Sequence, residues 1–347
     1  MYTLYANFRY TGQEWIESLM NDDSEALALT DGRAFAQRFL APGQAWRPLT
    51  ASDPESGPEV VLRPFFPGDR LYRTGVRLPP PWTRLLFTKT SRVSHYDLLI
   101  RLARSRETDP GEVICLAGGG STCHGFQNRP WQTLDGNLHL SLLLAPERRI
   151  EHAAAAFLAL PAVALLDVLD SVPGLEKRAG IKWVNDILLA GCKVGGVLAH
   201  TRIQGDVVKR VVLGVGLNVA ASPEVLRDPF APKADSLCNL TDRPPGPLLP
   251  TLLNRLLLAL SARFTRLMTH GPEDLLDDYR TRSLVLGSTV RVRPGPDAEE
   301  VSGRVARIGR DLELYLEGRP RPLTSGRLRF HPPAGGGAPE PPTLSTA

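Results

Sequence analysis

Cysteine is scarce: Cys115, Cys123, Cys192 and Cys238 are the only four in 347 residues. None pairs as C-x-x-C, and no short Cys/His spacing suggests zinc, which argues against a disulfide scaffold or a zinc module. The thiols read as reduced, as in a cytoplasm. A dominant charge sign is missing too. The 41 basic and 37 acidic side chains leave a formal net charge of +4, and no dense Lys/Arg block marks a nucleic-acid surface. Residues 1–9 lack the basic-then-apolar order of a secretory leader, and no apolar run reads as a membrane span. Internal repeats are not apparent, and no Ser-His-Asp or paired-carboxylate pattern points to a hydrolase. What remains is an ordinary globular composition, 42% hydrophobic and 22% charged, with enough chain for two or three folded units.

Residues 1–84 read as an accessory region of unknown fold. Helical spacing at 15–20 and 25–40 gives way to proline-rich sequence, with one possible strand at 59–64. From residue 85 the pattern sharpens. Strands are expected at 85–87, 113–117, 137–144, 187–189, 194–200 and 211–219. Helices are expected at 96–104, 151–169 (bent or restarted at Pro161) and 248–269. The predicted fold class is α+β, with a mixed-sheet catalytic domain over 85–280. Short strands at 289–292, 303–308, 312–316 and 321–323 suggest a small β-barrel over 281–332, and 333–347 should be a disordered tail.

Chemistry concentrates in three spaced segments. Lys182-Trp183-Val184-Asn185-Asp186-Ile187 leads to Lys193-Val194-Gly195-Gly196-Val197-Leu198 and then to Gly214-Val215-Gly216-Leu217-Asn218. Asn185 and Asp186 put an amide and a carboxylate at the mouth of apolar strands. Lys193 stands beside Gly195 and Gly196, whose missing side chains let a ligand approach backbone under an ammonium group. A surface hairpin with a solvated lysine accounts for these residues equally well.

The three segments together resemble the K-W-P-N-D, K-x-x-G-(I/V)-L and G-x-G-x-N pattern of the biotin–protein ligases. Val184 replaces the usual proline, and His200 stands for a family glutamate. The resemblance implies that Lys193 holds acyl and phosphate oxygens, that Asp186 adjoins the reacting centre, and that Asn218 lies on the nucleotide side. Asn185, Gly195 and Gly196 belong to the same binding surface. Upstream, Cys123-His124-Gly125-Phe126-Gln127-Asn128-Arg129-Pro130-Trp131 is similar to the family's G-R-G-R-x-G-R-x-W loop. Arg129 and Trp131 match; His124 and Phe126 replace arginines that brace the acyl-adenylate. Ser94 stands in the turn that contacts biotin, although it also suits a helix N-cap. Residues 287–328 resemble the small SH3-like barrel that ends many biotin ligases and is usually lacking in lipoate ligases.

The resemblance covers about residues 85–330. It implies formation of biotinyl-5'-AMP from biotin and ATP with Mg2+, then transfer of biotin to a lysine. The acceptor would be a biotin carboxyl carrier protein or the carrier domain of a biotin-dependent carboxylase. A homodimer is compatible, no membrane or nucleic acid is implied, and no metal ligands are assigned. Two other readings stay open: a lipoate or octanoate ligase or transferase on the same fold, and a non-catalytic regulator that binds biotin or its adenylate.

Overall fold

The computed structural model describes residues 26–40, 43–50, 61–105, 111–224, 230–241, 248–295 and 297–331. The helical spacing at 15–20 and the tail at 333–347 lie outside the described residues. Among them, eleven strands form one mixed sheet. These are β1 (Ala26–Thr30), β2 (Arg47–Pro48), β3 (Tyr72–Val76), β4 (Arg84–Thr88), β5 (Val113–Ala117) and β6 (Leu138–Leu144). Then come β7 (Arg148–Arg149), β8 (Ala179–Lys182), β9 (Asp186–Leu189), β10 (Cys192–Gln204) and β11 (Val207–Leu217). Their order is β2-β3-β1-β4-β5-β6-β11-β10-β9-β8, with β7 paired to β11. Only the β1–β4 and β4–β5 pairings are parallel.

Helices cover both faces of this sheet: α1 (Arg33–Ala36), α2 (His95–Arg104), α3 (Ala153–Asp170), α4 (Leu237–Thr241), α5 (Leu248–His270) and α6 (Glu273–Thr281). Strand alternation explains the two cores. Ile114 and Leu116 of β5 point into the large cluster around α3 and α5, while Val113 and Cys115 point into a smaller cluster with Leu98 and Leu99 of α2. Helix α3 is apolar on every side and fits only where every side is covered. It meets the length and hydropathy of a membrane span, but 78% of it is buried, as suits a core helix. Pro161 sits inside it without ending it. Packing against β10, α5 and α6 holds the helix across the backbone bond that proline forfeits.

Two sequence expectations near the N-terminus change. The Ala-Leu-Ala-Leu-Thr run inside the expected 25–40 helix is strand β1, because so short an apolar run suits either structure and here pairs with β3 and β4. The expected strand at 59–64 is helical where described: residues 61–62 are helical and Arg63–Phe65 is a 3-10 turn with a proline at its start. Leu62, Phe65 and Phe66 from this turn are buried beneath α2. Strands β1 to β3 therefore extend the same sheet as the later strands.

The expected α+β mixed sheet is present, and a second, antiparallel sheet follows it. Its strands are β12 (Thr289–Arg293), β13 (Val301–Ile308), β14 (Leu314–Leu316) and β15 (Arg327–Phe330), in the order β14-β13-β12-β15. The expected strand at 321–323 is reduced to a single bridge between Leu314 and Leu323. Trp183 donates its indole N–H to the Leu312 carbonyl at 2.6 Å, which ties this small sheet to the turn between β8 and β9.

Candidate active site

Strands β9, β10 and β11 build the rigid wall of a cavity of about 410 Å³. The β9–β10 hairpin closes through Ala190 and Gly191, both at positive φ (48° and 77°), the geometry of a two-residue hairpin turn that suits the strands' twist. Gly196 of β10 faces Gly216 of β11, and Leu198 faces Gly214, so these positions share the cavity face. Their smallness has a specific cause. A Cβ on Gly216 would run into the indole of Trp131, and one on Gly214 would stand 3.2 Å from the Tyr96 ring. Two aromatic rings thus close over a sheet face cleared by glycine.

Lys193 reaches this face through an irregularity. Strict alternation would put it on the side of Gly195, where a Cβ would meet the Gly216 carbonyl and Leu165 of α3. The β9–β10 register instead shifts between Lys193 and Gly195, a β-bulge that re-aims the lysine toward Gly196. Gly195 accordingly lies off the cavity lining and serves close packing, whereas Gly196 lines it.

The centre of the wall is an ion cluster. The Asp186 carboxylate lies 2.5 Å from Lys193 Nζ through Oδ1 and 3.4 Å from Lys182 Nζ through Oδ2. Asp186 and Lys182 are cross-strand partners at the β8–β9 turn, and both are buried. Burial alone would push the Asp186 carboxyl up; Lys193 and then Lys182 outweigh it and hold the carboxyl at about 2. Burial pulls Lys182 below the ordinary lysine range, against the attraction of Asp186. Lys182 also donates to the Phe230 carbonyl at 3.2 Å. Reading the sequence did not single out Lys182, although it stands four residues from Asp186 in the same motif.

The remaining candidates divide by role. Asn185 donates its side-chain amide to the Val197 carbonyl at 2.7 Å and so braces β10 at the cavity edge. Asn218 is 1% exposed; its amide N–H donates to the Asp235 carbonyl at 3.2 Å, and its Oδ1 has no partner among the described residues. An unmatched buried acceptor in a cavity wall is a place for an incoming N–H donor. Ser94 caps α2 by accepting from the Asp97 amide at 3.3 Å and also lines the cavity.

The opposite wall is the loop before β6. It bonds mainly to itself: Gly125 N–H donates to the Arg129 carbonyl at 2.7 Å, Arg129 Nε to the Phe126 carbonyl at 3.0 Å, and Trp131 N–H to the Cys123 carbonyl at 3.0 Å. Trp131 donates its indole N–H to His139 Nδ1 at 3.2 Å, and its ring lies 5.5 Å from Lys193 Nζ. Burial lowers His139 to about 4, so the imidazole is neutral and accepts there. His124 lines the cavity, yet both ring nitrogens are taken. Its Nε2 lies 3.0 and 3.1 Å from the Asp97 carboxylate, and Nδ1 faces the Gly125 carbonyl at 3.3 Å. Burial opposes its charged form, but Asp97 prevails and raises the imidazole above its usual range. The charge at this position is spent on α2. Tyr96, His139 and Arg327 also line the cavity and had not been singled out; Arg327 arrives from β15, far along the chain. His200 lies outside the lining.

The profile of the biotin/lipoate A/B protein ligase family matches residues 116–218, which span the loop wall and the sheet wall. A biotin–[acetyl-CoA-carboxylase] ligase of Mycobacterium tuberculosis is 34% identical over 237 residues, covering 67% of this chain and 81% of that protein. The chain belongs to the biotin–protein ligase family. The bifunctional ligase/repressor BirA of Bacillus subtilis is 28% identical over 193 residues, and the match spans 55% of its length. A solved biotin protein ligase of Aquifex aeolicus, in complex with biotin and ATP, superposes with a TM-score of 0.54 at 19% identity, over 72% of this chain and 100% of that one. That likeness is one of fold.

Proposed function

We propose that this ligase makes biotinyl-5'-AMP from biotin and ATP and then transfers the biotinyl group to a lysine of a carboxylase's biotin carboxyl carrier protein or carrier domain. The observation that carries this reading is the Lys182–Asp186–Lys193 cluster under Trp131, on a wall cleared by Gly196, Gly214 and Gly216. In the first step the biotin carboxylate attacks the α-phosphorus of ATP and pyrophosphate leaves. Two anions must meet, so positioned positive charge supplies much of the stabilisation. Lys193 is partly exposed and can leave Asp186 for the incoming oxygens while buried Lys182 keeps the carboxylate paired. In the second step the carrier amine attacks the acyl carbon and AMP departs. In this reading the ionised Asp186 carboxylate orients that amine, whose proton leaves to solvent. The open Oδ1 of Asn218 suits a nucleotide N–H. No cluster of three His, Cys, Asp or Glu that could hold a metal occurs among the described residues. Mg2+ would accompany ATP and offset the charge of its phosphates.

The relatives are named as ligases, which does not favour the lipoate or the non-catalytic regulator reading. Incubating the protein with ATP and either biotin or lipoate, then measuring pyrophosphate and acyl-AMP, tests the proposal. Biotin-dependent release followed by labelling of a carrier is expected. Acyl-AMP with lipoate alone, or none with either acid, would overturn it.

A further inference from the structure

Phe230 is 3% exposed, yet it belongs to neither hydrophobic cluster of the protein. Its ring is covered instead by cations of the small sheet. The guanidinium carbons of Arg293, Arg329 and Arg327 lie 4.7, 5.1 and 5.6 Å from the ring centroid. Arg293 of β12 stands opposite Arg327 of β15, and Arg291 opposite Arg329. Like charges facing across strands oppose sheet formation, so this pattern calls for a compensating contact. Glu300 supplies part of it, at 2.6 Å from Arg293 and 3.2 Å from Arg329. The electron-rich ring face of Phe230 supplies a further part.

The backbone around Phe230 then enters the ion cluster. Its carbonyl accepts from Lys182 Nζ at 3.2 Å. Three residues on, Lys193 N–H donates to the Lys233 carbonyl at 2.7 Å, and Asp235 N–H donates back to the Lys193 carbonyl at 3.1 Å. One short segment therefore holds the head group of one lysine and the backbone of the other. We infer that Phe230 is a positioning residue for adenylation, through which the arginines of the small sheet fix Lys182 and Lys193 around Asp186. This rests on the reading of that cluster as the reacting centre. The small sheet thus acts on the chemistry through a clasped aromatic ring as well as through Arg327 at the cavity rim.

The test uses the full chain. Phe230→Leu keeps apolar bulk and removes the ring face; Phe230→Trp keeps a ring. Phe230→Leu should lower kcat for biotin-dependent pyrophosphate release about tenfold, with KM for biotin little changed, and Phe230→Trp should restore most of it. Arg293→Met with Arg329→Met should lower kcat to a similar degree in the wild-type background and add little to Phe230→Leu, because both break one contact. Wild-type kcat in Phe230→Leu, or fully additive losses, would overturn the inference. If Phe230→Leu does not fold, the double arginine variant decides alone, and wild-type kcat there overturns it. A wild-type protein that makes no biotinyl-AMP would instead defeat the underlying proposal.

Discussion

The two walls of the cavity keep their charge in different ways. On the sheet wall, Lys193 and Lys182 grip a buried carboxylate fixed by strand pairing, and glycines beneath Trp131 and Tyr96 let those rings close onto the sheet. On the loop wall, His124 and Phe126 stand where the sequence resemblance puts family arginines, and His124 is directed to Asp97 of α2. Arg129 folds back onto the Phe126 carbonyl. The charge of the sheet wall is held on paired strands, while the loop facing it is fastened mostly by its own hydrogen bonds.

The hardest way to break this contrast is Asp186→Asn. It leaves two ammonium groups beside a neutral amide, one of them buried, and losing one partner of a buried ion pair costs on the order of 3–5 kcal/mol. A lowered midpoint in denaturant is expected, together with slower single-turnover transfer from preformed biotinyl-AMP in the folded fraction. Unchanged stability and transfer would reduce Asp186 to a surface-like role.

A smaller effect comes from His139, which anchors Trp131 from below. Its folded value of about 4 lies below the ordinary 6.5, so between those limits the unfolded chain binds the extra proton. Stability should therefore fall as pH drops from about 6.5 toward 4, by roughly 3 kcal/mol from this residue. His95, buried and lowered to about 4 as well, adds in the same direction. His124 works oppositely: its contribution is present below about pH 6.5 and is lost as pH rises through its raised value. Denaturant midpoints measured from pH 4 to 7 for wild type and His139→Gln check this. A slope in wild type that survives the substitution undiminished would assign it elsewhere.

The smallest effect is expected from restoring arginine on the loop. His124→Arg with Phe126→Arg should slow dissociation of biotinyl-AMP about fivefold, near 1 kcal/mol, because Asp97 still claims one of the new charges. Equal dissociation rates would show that neither position faces the ligand.

Much of the sheet wall was legible in the sequence because its motifs are short, ordered and dense in glycine, and because apolar runs marked β5, β6, β9, β10 and β11. The bulge that turns Lys193 into the cavity was not, since it depends on register between β9 and β10. Lys182 escaped notice because its role comes from facing Asp186 across a turn. The partner of His124 sits 27 residues earlier on a helix, and Arg327 comes from another sheet, so neither leaves a local signal. In the N-terminal region, Ala26–Thr30 was too short to separate strand from helix by periodicity.

The central claim, that adenylation depends on charge held by the sheet wall, is tested most directly by pyrophosphate release from Lys193→Ala at saturating biotin and ATP. The variant should fold, since Lys182 still pairs with Asp186. Its rate should fall by about 2–4 kcal/mol in barrier, roughly thirtyfold to a thousandfold. A rate close to wild type from a folded Lys193→Ala protein would contradict the account.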